Sequence, residues 1–308
     1  MSHVYDTLII GGGPAGYTAA LYATRAGMDT AILERMSPGG QMALTDIIDN
    51  YPGFPEGVDG ITLGMNMQMQ AERFGAQTIY EDVVSVDFTD PSVKTVRTTD
   101  NTYLARTVIL ATGANPRELG LEKERALTGK GVHYCAHCDG RFYKGKAVAV
   151  VGGGNSAVSD ALYLSRVTEK VYVIHRRDSL RATKIYHEPL MKAENVEFVW
   201  NSEVTEILSD GRVTGVTVKN REDGSERRLD FSGLFVSIGR SPATDFLRGS
   251  VELDEYGYIV ADESTRTSIP GVFAVGDVRT KALRQVVTAV ADGATAIHYA
   301  EEYLAELH

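Results

Sequence analysis

Short apolar runs along the chain predict strands, and two of these runs open a pattern that occurs twice. The run at 7–10 predicts a buried strand, and the alanine- and leucine-rich stretch at 17–26 predicts a helix. A second strand over 30–33 ends at Glu34. Strand, glycine turn, helix, strand and terminal acid together make a complete dinucleotide-binding unit.

The turn in this first unit carries the spacing G-x-G-x-x-G at Gly11, Gly13 and Gly16. The first glycine permits a tight turn, the second lets the backbone approach a pyrophosphate, and the third lets helix and strand pack closely. The helix N-terminus offers unpaired N–H groups to the phosphates. Glu34 is then placed to accept hydrogen bonds from ribose hydroxyls.

The same unit recurs 141 residues later, with no gap in register. A strand over 147–151 leads into Gly152 and Gly154, and Ala157 takes the place of the third glycine. His175 falls at the position of the acid in the first copy. We interpret the repeat as two related nucleotide-binding domains in one chain.

The two copies differ at the end of the second strand. The second copy has His175, Arg176 and Arg177 there, with Arg181 one turn later. An acid suits a free ribose diol, whereas arginines suit a 2′-phosphate through charge-assisted and often bidentate hydrogen bonds. The alternative is a solvated basic surface with local ion pairs, but the position at a strand end favours NADPH over NADH.

Further apolar runs predict an antiparallel meander in each half. They lie at 81–88, 93–98 and 103–105, before a separate buried strand at 107–114, and again at 196–200, 203–208, 213–218 and 229–231. Pro116 and Pro242 predict the two interdomain connections, because proline disfavours continued regular structure.

The predicted fold is therefore α/β, with two Rossmann-like dinucleotide-binding domains. Each has a parallel sheet, flanking helices and an antiparallel β-meander. The first domain comprises 1–115 and 244–308, and the second comprises 116–243.

The only cysteines, Cys135 and Cys138, stand just upstream of the second glycine turn. Two intervening residues allow a small ring, so a disulfide can form and break with little backbone movement. Asp139 follows directly and is a candidate proton donor or acceptor. The pair could instead be half of a zinc site with His133 or His137 as further ligands. Since no second C-x-x-C exists, a redox role is favoured and no metal is expected.

Length and charge limit the possible partners. The 308 residues suffice for two domains, and a net charge of −10 disfavours nucleic acid and anionic membrane surfaces. No run of about 20 apolar residues is present to span a membrane. The N-terminus lacks the features of a secretory signal, so a cytoplasmic location is expected, where a lone cysteine pair is more often catalytic than structural.

In this order, the motifs resemble the low-molecular-weight, prokaryotic-type thioredoxin reductases of the class II pyridine nucleotide-disulfide oxidoreductase family. The resemblance covers nearly the whole chain. It rests on the motifs at 11–16, 39–41, 111–113, 135–140, 152–157, 175–177, 276–277 and 284–285.

The resemblance implies FAD in the first domain and NADPH in the second. The implied cofactor-binding residues of the first domain are Gly11, Gly13, Pro14, Ala15, Gly16, Glu34, Gly40, Gln41, Asn50, Val84, Ala111, Thr112, Gly113, Gly276, Asp277, Arg284, Gln285 and Val286. Those of the second are Gly152, Gly154, Asn155, Ser156, His175, Arg176, Arg177, Arg181, Ile238 and Gly239. In the family, the aspartate matching Asp277 contacts the ribityl chain. The helix start matching 284–286 lies at the isoalloxazine ring, where its N-terminus would stabilise anionic reduced flavin.

The resemblance also implies the reaction. Hydride passes from NADPH to FAD and then to the Cys135–Cys138 disulfide; Cys138 faces the flavin, Cys135 attacks the disulfide of a thioredoxin or thioredoxin-fold partner, and Asp139 protonates the leaving thiolate. Because the cysteines and NADPH share a domain yet both must meet one flavin, the second domain is expected to rotate about connections near 114–117 and 240–244. A homodimer is implied as well.

One residue departs from the pattern, since His137 stands where many family members have threonine. It could tune the neighbouring thiolate or be a partly exposed residue with no role. Histidine there is also similar to the flavoprotein subunit of alkyl hydroperoxide reductase, whose extra N-terminal thioredoxin-like segment is not expected here. A flavin dithiol oxidase, a ferredoxin-fed reductase and a non-catalytic flavin- or metal-binding sensor are the remaining alternatives. The second glycine turn and its arginines argue against the first two.

Overall fold

The computed structural model describes residues 3–45, 47–247 and 249–307. The chain divides into two compact units. Unit 1 comprises Met1–Asn115 and Ser241–His308, and unit 2 is the continuous stretch Pro116–Arg240. Unit 1 is therefore built from both ends of the sequence, and unit 2 is an insertion between them.

The regular elements are numbered in chain order. The strands are β1 (Val4–Ile10), β2 (Thr30–Glu34), β3 (Gln77–Tyr80), β4 (Val83–Asp87), β5 (Lys94–Thr98), β6 (Thr102–Leu110), β7 (Ala114–Pro116), β8 (Val132–His133), β9 (Ala147–Val151), β10 (Lys170–Ile174), β11 (Val196–Val199), β12 (Ser202–Ser209), β13 (Val213–Asn220), β14 (Glu226–Asp230), β15 (Gly233–Val236), β16 (Arg240–Pro242) and β17 (Val272–Ala274). The α-helices are α1 (Pro14–Arg25), α2 (Gly60–Glu72), α3 (Ala136–Asp139), α4 (Asn155–Val167), α5 (His187–Met191) and α6 (Val286–Glu306).

Unit 1 is organised around a seven-stranded sheet in the order β3-β2-β1-β6-β5-β4, with β17 also paired to β6. The strands β3, β2, β1, β6 and β17 run parallel, whereas β5 and β4 continue the sheet antiparallel. The long strand β6 serves both parts, because its first half pairs with β5 and its second half pairs with β17. The sequence predicts two separate strands here, at 103–105 and 107–114; this is wrong, since one strand runs through Thr102–Leu110.

The helices α1 and α6 pack against each other in unit 1 through small residues. Helix α1 starts at Pro14, where a missing N–H costs nothing and the fixed φ suits a helix. A Cβ on Gly293 of α6 would lie 2.3 Å from the Ala15 carbonyl oxygen, so only glycine permits this approach. This packing holds the first turn of α1 in place.

Unit 2 repeats the design on a smaller scale. Its main sheet has the order β11-β10-β9-β15-β8, and a separate antiparallel sheet contains β12, β13 and β14. The sequence places 196–200 in the meander, but Val196–Val199 is β11, the parallel edge strand of the main sheet. The predicted fold class is confirmed: each unit has a parallel sheet, flanking helices and antiparallel strands.

The chain passes between the units at residues 115–116 and 240–241. Both passages lie in short strands, β7 and β16, which form a two-stranded sheet. Among helices within the described ranges, none combines the length and apolar character that crossing a bilayer requires.

Candidate active site

The two cysteines lie at the start of a short helix in unit 2. Edge strand β8 leads into Cys135, which caps α3 and accepts a hydrogen bond at its Sγ from the Cys138 N–H at 3.2 Å. Cys135 and Cys138 form a disulfide. Ala136, between them, is 1% exposed and packs into the core of the unit, which anchors the helix.

Asp139 ends α3, and its carboxyl group contacts a histidine. The His133 Nδ1 lies 3.1 Å from Asp139 Oδ2, and His133 Nε2 lies 2.6 Å from the Tyr143 hydroxyl. All three side chains are buried. The sequence identifies Asp139 as an acid and His133 only as a possible zinc ligand; it does not indicate that they form a pair.

His137, the residue that departs from the family pattern, is exposed. Its ring packs against the ring of Tyr163 on α4, with centroids 4.4 Å apart. Across the described ranges, no group of three or more His, Cys, Asp or Glu side chains is arranged to hold a metal ion.

The glycine turn of unit 1 is shaped by close backbone contacts. Gly11 has φ 109°, and a Cβ there would lie 2.5 Å from the Ala111 carbonyl oxygen; a Cβ on Gly16 would lie 1.9 Å from the Gly11 oxygen. Gly13, by contrast, faces open space and caps α1 without a side-chain hydrogen bond. The first N–H groups of α1 and the open side of Gly13 therefore fit a bound phosphate.

Glu34 stabilises this turn directly. Its Oε2 accepts a hydrogen bond from the Gly12 N–H at 2.7 Å, and its Oε1 accepts one from the Met36 N–H at 3.0 Å. The carboxylate thus fixes the end of β2 to the glycine turn.

Among the other residues of unit 1 that the sequence predicts to bind the cofactor, Gln41 and Asn50 form side-chain hydrogen bonds, whereas Val84 lies in another part of the unit. Gln41 donates to Asn115 Oδ1 at 3.1 Å, and Asn50 donates to Gln285 Oε1 at 3.0 Å. Gln285 caps α6, so Asn50 meets the start of this helix. Val84 lies apart, half exposed on strand β4 at the antiparallel end of the sheet.

Arg284 and Asp277 are held together before α6. The Arg284 guanidinium donates to the carbonyl oxygens of Asp277 and Arg279 at 3.2 and 3.1 Å and lies 4.1 Å above the Tyr258 ring. These contacts order the segment between β17 and α6.

A buried ion cluster that sequence reasoning missed supports the same segment. Asp292 of α6 accepts two hydrogen bonds from Arg279, one from Lys281 and one from the Gly276 N–H, all at 2.8–2.9 Å. Burial alone would raise the pKa of Asp292, but the hydrogen bonds and charges of Arg279 and Lys281 outweigh it and hold that pKa below the usual carboxyl range. Asp292 thus fixes the turn that carries Asp277.

The glycine turn of unit 2 repeats that of unit 1. Gly152 has φ 140°, and a Cβ there would lie 2.4 Å from the Ser237 carbonyl oxygen, while Gly154 faces open space at the uncapped start of α4. Asn155 accepts a hydrogen bond from the Thr183 N–H at 2.7 Å, which ties the loop after β10 to this helix. Ile238 and Gly239 follow β15 and Ser237, whose carbonyl oxygen packs against Gly152 of the glycine turn.

His175 and the arginines occupy different environments. His175 is buried beneath the glycine turn, where a Cβ on Gly153 would meet its ring at 2.4 Å, and its Nε2 has no hydrogen-bond partner among the residues that the structure describes. Burial first, and then the charges of the nearby arginines, lower the pKa of His175, so the ring is neutral. Arg176, Arg177 and Arg181 are exposed.

Two further residues, which the sequence motifs do not identify, contact this cluster of His175 and the arginines. Trp200, the only tryptophan, follows β11 and contacts the His175 ring edge-on, with centroids 6.4 Å apart. Arg221 donates to the Arg176 carbonyl oxygen at 3.4 Å. The position of Trp200 at a strand end is the signal in the sequence, but the sequence places 196–200 in the meander, whereas Val196–Val199 pairs with β10 in the main sheet.

A family model described as pyridine nucleotide-disulphide oxidoreductase matches residues 5–293. The chain belongs to this family. Members of this family use a flavin and a nicotinamide nucleotide. Both glycine turns have an open side that fits the phosphates of a nucleotide.

Members of known identity are similar over the full length. Thioredoxin reductase of Listeria innocua is 48% identical, with 99% of this chain and 95% of the relative covered, and that of Peptoclostridium litorale is 46% identical, with 100% and 99% covered. The crystal structure of thioredoxin reductase from Streptococcus pyogenes has a TM-score of 0.92 at 45% identity, covering 99% of this chain and 100% of that one. The resemblance to thioredoxin reductases that the motifs predict is thereby confirmed.

Proposed function

We propose that this protein is an NADPH-dependent thioredoxin-disulfide reductase. Electrons pass from NADPH to FAD, then to the Cys135–Cys138 disulfide, and finally to a disulfide of a thioredoxin-type protein. The observation that carries the proposal is the closed cysteine pair of unit 2, in a chain similar along its whole length to thioredoxin reductases.

FAD is assigned to unit 1, and the residues present fit it. Gly13 leaves room at the start of α1 for a pyrophosphate, and Glu34 lies next to that turn. The segment that carries Asp277 and Arg284 ends at Gln285, the start of α6, whose N-terminal dipole suits a negatively charged ring. When bound, FAD supplies the two-electron carrier that joins the nicotinamide to the disulfide.

NADPH is assigned to unit 2. Gly154 leaves room for a pyrophosphate at the start of α4, and exposed Arg176, Arg177 and Arg181 provide positive charge at the end of β10. Buried neutral His175 supports the turn from below, so the arginines are the residues assigned to the 2′-phosphate.

Changing both arginines tests this assignment. We expect Arg176→Ala with Arg177→Ala to raise the KM for NADPH by on the order of a hundredfold while leaving that for NADH nearly unchanged, because charged hydrogen bonds contribute about 1.5–3 kcal/mol each. Quenching of Trp200 fluorescence gives the nucleotide affinity without turnover. Arg212→Ala with Arg228→Ala, a double change elsewhere in unit 2, is the control. An unaltered preference for NADPH would show that the cluster is only surface.

The cysteines perform the thiol chemistry. Reduction of the Cys135–Cys138 disulfide gives two thiols. Cys135 attacks the partner's disulfide to form a mixed disulfide, and Cys138 then attacks Cys135, which re-forms the Cys135–Cys138 bond and releases the reduced partner. Asp139 exchanges the proton with the thiols. A pair that cycles in this way suits the reducing cytoplasm.

Unit 2 must present two different groups to one flavin, and we propose that it rotates about the passages at 115–116 and 240–241. A chemical cross-link that fixes unit 2 to unit 1 should stop steady-state turnover and leave FAD bound. Full turnover after quantitative cross-linking would contradict the rotation.

We also propose a homodimer formed through unit 1. Helix α2 exposes Ile61, Met65 and Met69, which lie four residues apart on one face. Exposed Leu44 ends the short 3-10 helix Gly40–Leu44, which packs on α2. Sedimentation analysis should give a dimer for the wild type and a monomer for Met65→Glu. A wild-type protein that sediments only as a monomer would refute this assembly.

The proposed function is tested by mixing the purified protein with FAD, NADPH and a panel of oxidised thioredoxin-fold proteins. NADPH should bleach the flavin absorbance, and at least one partner should be reduced catalytically. Oxygen as the preferred acceptor, with small dithiols as donors, would instead indicate a dithiol oxidase.

A further inference from the structure

His133 is placed where it can control the proton on Asp139. It lies in edge strand β8, which pairs with β15 so that His133 is opposite Phe235. The two rings stack with centroids 5.3 Å apart, and the Tyr143 ring meets the imidazole edge-on at 5.3 Å. A Cβ on Gly233 would lie 2.6 Å from the Tyr143 ring, so Tyr143 is itself fixed by the sheet. The imidazole is therefore held on several sides by the core.

Both ring nitrogens of His133 have buried polar partners. Nδ1 contacts the Asp139 carboxyl at 3.1 Å and Nε2 contacts the Tyr143 hydroxyl at 2.6 Å. An ionised carboxylate accepts only, so Nδ1 then carries the proton and Nε2 accepts from the Tyr143 hydroxyl. When the carboxyl is protonated, it donates to Nδ1, and Nε2–H donates to the tyrosine oxygen.

This arrangement gives Asp139 a hydrogen bond in either protonation state. A buried carboxyl group without such a partner would strongly favour one state, because an unpaired buried polar group costs free energy. A change of tautomer in the His133 ring, with a turn of the Tyr143 hydroxyl, is enough to follow each change at Asp139.

We propose that His133, with Tyr143 behind it, is a positioning residue that allows Asp139 to cycle between its two protonation states during thiol exchange. The inference rests on the proposed function, because it is the exchange with a partner disulfide that requires the cycle. Nothing in the sequence motifs assigns this role to His133.

The exchange balances without an added reactant. The enzyme dithiol loses two protons and two electrons as its S–S bond forms, and the partner disulfide gains them as its S–S bond breaks and two thiols form. Asp139 takes a proton from the enzyme thiol and returns it to the thiolate that leaves the partner. His133 remains hydrogen-bonded to the Asp139 carboxyl group throughout the exchange.

Other titratable groups near this pair must be considered in any pH profile. They are the cysteines themselves, His137 with Tyr163 and Asp160 from α4, and Lys146, whose Nζ lies 5.9 Å from the Tyr143 ring centroid. Each of them is left in place by the substitutions below.

The test compares His133→Leu, His133→Asn and Tyr143→Phe, with Tyr134→Phe as the matched control. Tyr134 is adjacent to Cys135, but its hydroxyl donates to Glu124, away from Asp139. Leucine keeps the bulk against Phe235 and removes both nitrogens, whereas asparagine retains a group that can donate to or accept from the carboxyl. Thermal melting verifies that each variant is folded.

We expect His133→Leu to slow partner reduction by about tenfold to a hundredfold, at or below the low end of the roughly hundredfold to ten-thousandfold that general acid–base catalysis contributes, because Asp139 itself remains in place. Its pH–rate profile should differ from that of the wild type, because the buried Asp139 carboxyl group loses the hydrogen bond that His133 gives it in both protonation states. His133→Asn should recover most of the rate, Tyr143→Phe should shift the profile with a smaller loss, and Tyr134→Phe should match the wild type. Reduction of FAD by NADPH should be unchanged in all four.

A second readout does not depend on flavin or partner. The cysteine pair is reduced chemically, and the rate of its alkylation by iodoacetamide is measured against pH. His133→Leu should shift this profile relative to wild type and Tyr134→Phe should not. An unshifted alkylation profile, or a rate loss that asparagine does not rescue, would overturn the role of His133. Failure of the wild type to reduce any thioredoxin-fold protein, with the alkylation shift present, would refute the proposed function alone.

Discussion

Replacing Cys138 by serine should abolish catalytic reduction of a partner protein, with a loss on the order of a thousandfold or more, as is usual when a nucleophile pair is broken. The serine oxygen cannot form the Cys135–Cys138 bond, so electrons have no route from the flavin to the partner. NADPH should still bleach the flavin of the variant at the wild-type rate. Stopped-flow absorbance measures this step separately from turnover.

Cys135→Ser is the control for the assignment of roles to the two cysteines. In the Cys138→Ser variant, free Cys135 should form a stable mixed disulfide with a partner whose single remaining cysteine is activated by thionitrobenzoate, and the released thionitrobenzoate is measured by its colour. Cys135→Ser should form that complex much more slowly. Equal trapping by both variants would contradict the assignment of Cys135 as the attacking sulfur, and retained turnover in either would refute the whole pathway.

Asp292→Asn should lower the free energy of unfolding of unit 1 by about 3–5 kcal/mol, the usual cost of breaking a buried ion pair. The variant leaves Arg279, whose side chain is 2% exposed, and buried Lys281 without their carboxylate. Because Asp292 also accepts a hydrogen bond from the Gly276 N–H, the turn next to Asp277 should loosen, and flavin should be released at a lower denaturant concentration. Denaturant unfolding followed by flavin fluorescence measures both effects.

Glu302→Gln is the matched control, since Glu302 also lies on α6 and pairs with an arginine, Arg266, but both side chains are about half exposed. Its loss should cost less than about 1 kcal/mol. The pKa of Asp292 is lowered in the folded chain, so its stabilisation is complete above the ordinary carboxyl pKa of about 4 and is lost as the pH falls through the lower folded value. The two variants should therefore converge in stability in strong acid. Equal losses at neutral pH would contradict the special role of the buried cluster.

The glycine turns were predictable because their requirements are local. Gly11 and Gly152 both adopt positive φ, and at each of them a Cβ would meet the carbonyl oxygen of the residue that follows a strand. By contrast, the sequence predicts separate strands at 103–105 and 107–114. Residues 102–110 form one strand because they pair in parallel with β1 from Leu104 to Leu110, and Arg106 within this strand donates to Asp6, a hundred residues away, at 2.7 Å.

Pairings between distant residues account for the other differences. The run at 196–200 has the composition of any strand, and only its parallel register with β10 places it in the main sheet. Asp292 appears in sequence as a polar residue within an apolar helix, and its partner Arg279 lies in a loop. His133 and Asp139 are close in sequence, yet their contact depends on the turn of α3 that brings the carboxyl back to β8.

The division of unit 1 between both ends of the chain has a consequence for synthesis on the ribosome. Unit 2 is continuous and all of its strands are present once residue 240 has emerged. Unit 1 cannot be completed until α6 and β17 arrive, because α1 packs on α6 and β17 pairs with β6. Unit 2 should therefore fold before unit 1 is complete, and a chain stalled before residue 286, which lacks α6, should be unable to retain flavin.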